Sequence, residues 1–111
     1  MIIEHKEDYT LISQGNTTNI TEFNVLFKEK HNELTDKNLI IILSENESFK
    51  DEDFFILLQC SQLHLDSGTT FVVVCDGADV DNFPETFNIT PTLVEAEDIL
   101  EMENIQRDLG F

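Results

Sequence analysis

Tryptophan is absent, and cysteine, proline and glycine are scarce: two, two and four among 111 residues. Two cysteines, Cys60 and Cys75, without CxxC spacing supply neither a disulfide framework nor a zinc knuckle, so both read as buried reduced thiols. Four isolated glycines build no phosphate-cradling loop. Positive charge is scarce as well. Six Lys and Arg stand against 23 Asp and Glu, for a net charge of −17. Such a chain repels phosphate backbones and anionic lipid, which excludes nucleic acid and membrane and favours a protein partner with a basic surface. No apolar run approaches the roughly 20 residues of a membrane span. The opening Met1-Ile2-Ile3-Glu4-His5-Lys6 is not a secretory signal, so the expectation is a cytoplasmic protein in which Asn-X-Ser/Thr triplets are coincidental.

What the chain does have is apolar content of 41%, including nine Phe. At this length it is one domain, 1–111, able to bury about two-thirds of its unfolded surface without staples. Leu39–Leu43 and Phe71–Cys75 are short, wholly apolar runs separated by a helix-length segment, the pattern of a parallel β-α-β unit. The intervening helix is expected from about Asp51 to Asp66, stopped by Gly68. Its apolar residues Phe54, Phe55, Leu57, Leu58, Leu63 and Leu65 imply that it is well buried.

Before this unit, Ile2–Glu4 and Tyr9–Ser13 read as strands near a sheet edge around the turn Lys6-Glu7-Asp8. Asn19 and Glu22 form a capping pair that opens a helix carrying Phe23, Leu26, Phe27 and Leu34. After the unit, Ala78–Asn88 reads as a short helix or helical turn with Phe83 and Phe87, and Ile89-Thr90 as a brief edge strand. Thr92 and Glu95 then cap a last helix, whose apolar positions Leu93, Ala96, Ile99, Leu100 and Ile105 run toward Asp108. Residues 103–111 extend that helix. The expected fold is α/β, a mixed sheet of four to five strands with four helices and right-handed β-α crossovers.

This order of elements resembles the STAS domain (sulfate transporter and anti-sigma factor antagonist) over residues 2–102. The matching passages are Leu39–Leu43, Gly68 to Cys75, and Thr92-Leu93-Val94-Glu95-Ala96. In regulatory members of that family an Asp-Ser-Ser-Gly turn precedes the central helix, and a partner anti-sigma kinase phosphorylates a serine there. Here the turn falls on Lys50-Asp51-Glu52-Asp53. Glu52 occupies the phosphoacceptor position, the glycine is gone, and Ser48 is the nearest hydroxyl. Phosphoserine would carry about −1.5 to −2, so a glutamate implies a switch that is lost or fixed in one state. The tail Ile99–Phe111 also resembles a group of short STAS-like bacterial chains, some labelled ribonuclease Z by gene proximity. That activity needs a His-x-His-x-Asp-His cluster holding two zinc ions, whereas His5, His31 and His64 are far apart in sequence.

The implied partner-binding residues are Ser48, Lys50, Asp51, Glu52 and Asp53. Carboxylates in a first helical turn also cap free N–H groups and complement the helix dipole, and both roles can hold. Asp76, Asp79, Asp81 and Glu85 lack the Asp-x-Asp-x-Asp-Gly spacing of a calcium loop, so no metal is expected. His64 and Asp66 are two residues apart on a helix and face different ways, so no catalytic dyad is expected. A receiver domain would need a lysine late in the chain, and none follows Lys50. The reading is a non-catalytic, cofactor-free interaction domain. The alternatives are an accessory subunit of an enzyme, such as an RNA-processing nuclease, or a nucleotide- or lipid-binding module with a deep apolar pocket. If right-handed crossovers place every long helix on one sheet face, the other face of Leu39–Leu43 and Phe71–Cys75 needs a cover. Residues 1–14 and Phe83–Phe87 could supply it, or a second copy, and the expectation is a homodimer or partner surface there.

Overall fold

The computed structural model describes residues 1–15, 19–43, 54–76 and 83–110. The two apolar runs form the middle of a five-stranded sheet. Its strands are β1 (Ile2–His5), β2 (Thr10–Ser13), β3 (Leu39–Ile42), β4 (Phe71–Val74) and β5 (Asn88–Thr90), in spatial order β1-β2-β3-β4-β5. β1 pairs antiparallel with β2, and every other pairing is parallel. Ile40 stands opposite Leu11 and Val72, and Ile41 opposite Ile12 and Val73. Both faces of β3 and β4 are buried, which is why those strands are apolar without alternation.

Three helices occur among the described residues: α1 (Ile20–His31), α2 (Phe55–Ser67) and α3 (Leu93–Asp108). The expected caps form. The Asn19 side chain accepts from the Glu22 amide at 2.8 Å, and the Thr92 hydroxyl accepts from the Glu95 amide at 3.3 Å. Gly68 ends α2 at φ +76°, a left-handed conformation that costs other residues free energy.

α1 and α2 pack on one sheet face, where Phe23, Phe27, Leu57 and Cys60 meet Ile12, Ile41 and Val73. α3 covers the opposite face, where Ala96 and Leu100 meet Leu11, Ile40, Val72 and Val74. Burying each large apolar side chain contributes about 1.5–3 kcal/mol. The expectation of all long helices on one face is thereby corrected. Crossover handedness constrains helices that return the chain to a neighbouring parallel strand; α3 follows the last described strand, so that rule does not fix its side. The uncovered face that suggested a homodimer is filled by the chain's own α3.

Three further expectations are corrected. The fourth helix does not form where it can be seen: residues 83–87 are bends and turns, with Phe83 and Phe87 packed against the α1–α2 side, while 78–82 lie outside the described residues. α2 is held through Leu57, Cys60, Ser61 and His64, leaving Phe55, Leu63 and Leu65 exposed. Its apolar residues run round the helix, and one face cannot bury them all. Ile105 points outward from α3, as does Leu26 from α1.

Candidate functional site

The residues expected to bind a partner, Ser48, Lys50, Asp51, Glu52 and Asp53, lie outside the described residues. Their surroundings are described. Segment 44–53 connects Leu43, at the carboxyl end of β3, to the first turn of α2. In open parallel sheets this is the end where helix N-termini gather and ligands dock. The N-termini of α1 and α3 likewise follow the carboxyl ends of β2 and β5.

At the start of α2, two neighbouring phenylalanines divide the work. Phe54 is buried edge-on to Phe83, ring centroids 5.0 Å apart, and Phe83 continues to Phe87 at 5.3 Å. Phe55, one residue on, is 58% exposed. The aromatic ladder fixes the leading turn to the core, so Phe55 is presented from an anchored base.

At the other end of α2 the structure brings together two residues that sequence separation kept apart. His31, in the last turn of α1, and His64, in the last turn of α2, are both buried, with Nε2 atoms 2.7 Å apart. His64 Nδ1 lies 2.7 Å from the Thr69 hydroxyl, which donates to the Thr35 carbonyl at 3.2 Å. One proton arrangement satisfies each contact: His31 Nε2–H donates to His64 Nε2, His64 Nδ1–H donates to Thr69, and Thr69 donates onward. Both rings are then neutral. Burial pushes the His64 pKa down to about 4, with the neighbouring His31 adding to the fall and the Lys37 backbone opposing it. Burial lowers His31 as well. The rings also pack against Phe71, and His31 against Phe27.

This enclosed pair fastens the ends of two helices. His64 has no solvent exposure, so it cannot meet a substrate in this conformation. Cys60, one turn before it, is buried too, and its thiol is pushed up to about 11, chiefly by burial, with Lys28 opposing. A thiol held protonated is a poor nucleophile. Asp66 is exposed on another side of the helix and accepts from Gln62 at 3.0 Å.

A polar knot joins α3 to the amino ends of β4 and β5. Glu103 accepts from Thr70 at 2.7 Å and from Asn88 at 3.1 Å, and pairs with Arg107 at 3.8 Å. Arg107 also donates to Thr70 at 3.0 Å and to Asn104. Beside the knot is an open cleft of about 200 Å³ lined by Ser61, Leu65, Thr69, Phe71, Glu85, Thr86, Asn88 and Glu103. A second surface cleft of about 280 Å³ holds Tyr9, which donates to Glu97 at 3.3 Å. Burial first, then the Glu97 charge, raises the Tyr9 pKa. Each of these two clefts mixes polar and apolar groups and opens to solvent.

Among the described residues, no three His, Cys, Asp or Glu side chains converge to hold a metal ion. Asp76 and Glu85 are exposed, whereas Asp79 and Asp81 lie outside the described residues. No helix among the described residues is long and apolar enough to cross a membrane.

Sequence reasoning missed the imidazole pair. The signal was helical spacing: His31 follows Phe23 and Phe27 at i+8 and i+4, and His64 follows Leu57 and Cys60 at i+7 and i+4, so each histidine continues a buried face. Compared with known proteins, the chain matches no protein-family model, no curated protein and no solved structure.

Proposed function

We propose that this chain is a non-catalytic protein-interaction domain that docks through the leading turn of α2 and the acidic segment before it. The observation that carries this reading is Phe55, a 58% exposed aromatic on a turn anchored by Phe54, directly after Asp51, Glu52 and Asp53 in sequence. Exposed aromatics on a rigid base are typical binding anchors. The three carboxylates, with Ser48 and Lys50, would supply the charge beside that anchor, and a basic partner surface would complement a chain of −17. Titratable groups enclosed in the core favour this over catalysis: His31, His64, Cys60 and Cys75 are all buried.

The order of strands and helices, and the position of Lys50-Asp51-Glu52-Asp53 in the sequence ahead of α2, support a STAS-like regulatory domain of the anti-sigma factor antagonist kind. Glu52 would stand at the phosphoacceptor position as a permanent negative charge. An accessory role beside an enzyme would use the same surface.

The test is recovery from native lysate with the wild-type chain, Phe55→Ser, Asp51→Lys and Glu52→Ser as baits. One protein should be recovered by the wild type, lost with Phe55→Ser and Asp51→Lys, and released by salt. Recovery of the same proteins by all four baits would remove the leading turn of α2 from the interface.

A further inference from the structure

α3 is apolar on two sides. Leu93, Ala96, Ile99 and Leu100 turn toward the sheet, with Ala96 and Leu100 buried. On the opposite side, Val94, Met102, Ile105 and Leu109 are 68%, 62%, 53% and 67% exposed. At about 100° per residue these four fall within an arc of about 80°, on the side away from Ala96 and Leu100. Met102, Ile105 and Leu109 follow the 3-4 spacing with which one helix seats another. Four exposed large side chains aligned along one solvent-facing helix are more than the scattered apolar residues normal on a surface.

The charges around this stripe select its occupant. Asp98 lies within it, one turn from Val94 and one from Met102, and Glu95, Glu101 and Asp108 flank it; all four are exposed. The helix's one basic residue, Arg107, is turned inward to Thr70, Asn104 and Glu103. A second copy of the chain would bring the same carboxylates and another −17 to the contact. An anionic lipid surface would be repelled in the same way.

The geometry points to the outer face of α3 as a docking surface for a basic amphipathic helix of another protein, with apolar residues along Val94–Met102–Ile105–Leu109 and a Lys or Arg opposite Asp98. This surface lies on the opposite side of the sheet from α2 and does not depend on the role proposed for Phe55. The chain could therefore bridge two partners, one on each side.

The probe is a fluorescent synthetic helix of Leu, Lys and Ala, about five turns long, with leucines at i, i+3, i+4 and i+7 and lysines on either side. A control peptide has the same composition with the leucines scrambled round the helix. In anisotropy titrations the patterned peptide should bind the wild-type chain at least about tenfold more tightly than the scrambled one. Ile105→Asn and Leu109→Ser should abolish that preference, and Asp98→Lys should weaken binding about tenfold. All three substitutions are on the solvent side, and unchanged melting temperatures would show that each variant folds. Equal affinity for both peptides would overturn the proposal by reducing the attraction to bulk charge. Unchanged affinity in the α3 variants would overturn it by placing the peptide elsewhere. A wild-type dimer in sedimentation that Ile105→Asn converts to monomer would overturn it in favour of a second copy.

Discussion

Acidification should loosen the joint between α1 and α2, and His64→Gln should remove much of that sensitivity. His64 titrates at 6.5 when unfolded and about 4 when folded. The unfolded chain therefore takes up the proton first. The stabilisation is fully present above about pH 6.5 and is lost as pH falls toward 4. Integrating between those pKa values, the drop from pH 7 to pH 5 removes about 2 kcal/mol through His64 alone. His31, whose pKa is also lowered, acts in the same direction. Glutamine at position 64 keeps an oxygen near Nε2 to accept from His31 but gives up the contact with Thr69, costing about 1–2 kcal/mol at pH 7. Urea unfolding of both proteins at pH 7 and pH 5 is the assay. The wild-type midpoint should fall by about 1 M on acidification, given slopes of about 1–3 kcal/mol/M, and that of His64→Gln by clearly less. Carboxylate protonation is common to both proteins and drops out of the difference. An equal fall in both midpoints would refute the assignment of a buried neutral imidazole pair.

Other consequences can be checked on the same protein. Gly68→Ala should cost about 1 kcal/mol in chemical denaturation through its left-handed backbone alone, since nothing within 4 Å would meet the added methyl. Thr92→Ala should cost about 1 kcal/mol by freeing the Glu95 amide, and helical circular dichroism should fall slightly. Arg107→Ala should cost about 1–2 kcal/mol because Glu103 and Thr70 lose a charged donor in a partly enclosed knot. With its thiol titrating at about 11, Cys60 should react with a thiol reagent at neutral pH only as fast as the protein opens. Rapid labelling of native protein would contradict its burial.

The backbone was largely legible because local chemistry and global packing agree in it. Apolar runs without alternation gave β3 and β4, Asn19 and Thr92 gave two helix starts, and Gly68 gave a helix end. Burial of α2 and the side taken by α3 were not legible. Composition counts apolar residues, but the angle between Leu57 and Leu63 decides which meets the sheet. No described strand follows α3, so crossover handedness likewise does not fix its side. Ile105 continued an apolar period that α3 in fact splits between two faces. The imidazole pair depends on the ends of α1 and α2 meeting, a tertiary fact carried by neither helix. For the segment proposed to bind a partner, the sequence supplies the charges, and the described residues supply the anchored turn that follows them.

Docking at the start of α2 is tested most directly by nuclear magnetic resonance. The isotopically labelled chain would be titrated with the partner recovered from lysate, and backbone amide shifts followed. The largest changes are expected at residues 44–56, with Phe55 among them, while the amides around His31, His64 and Thr69 stay nearly unmoved. Changes centred on the cleft between Ser61 and Glu103, with Phe55 unaffected, would contradict the proposed function.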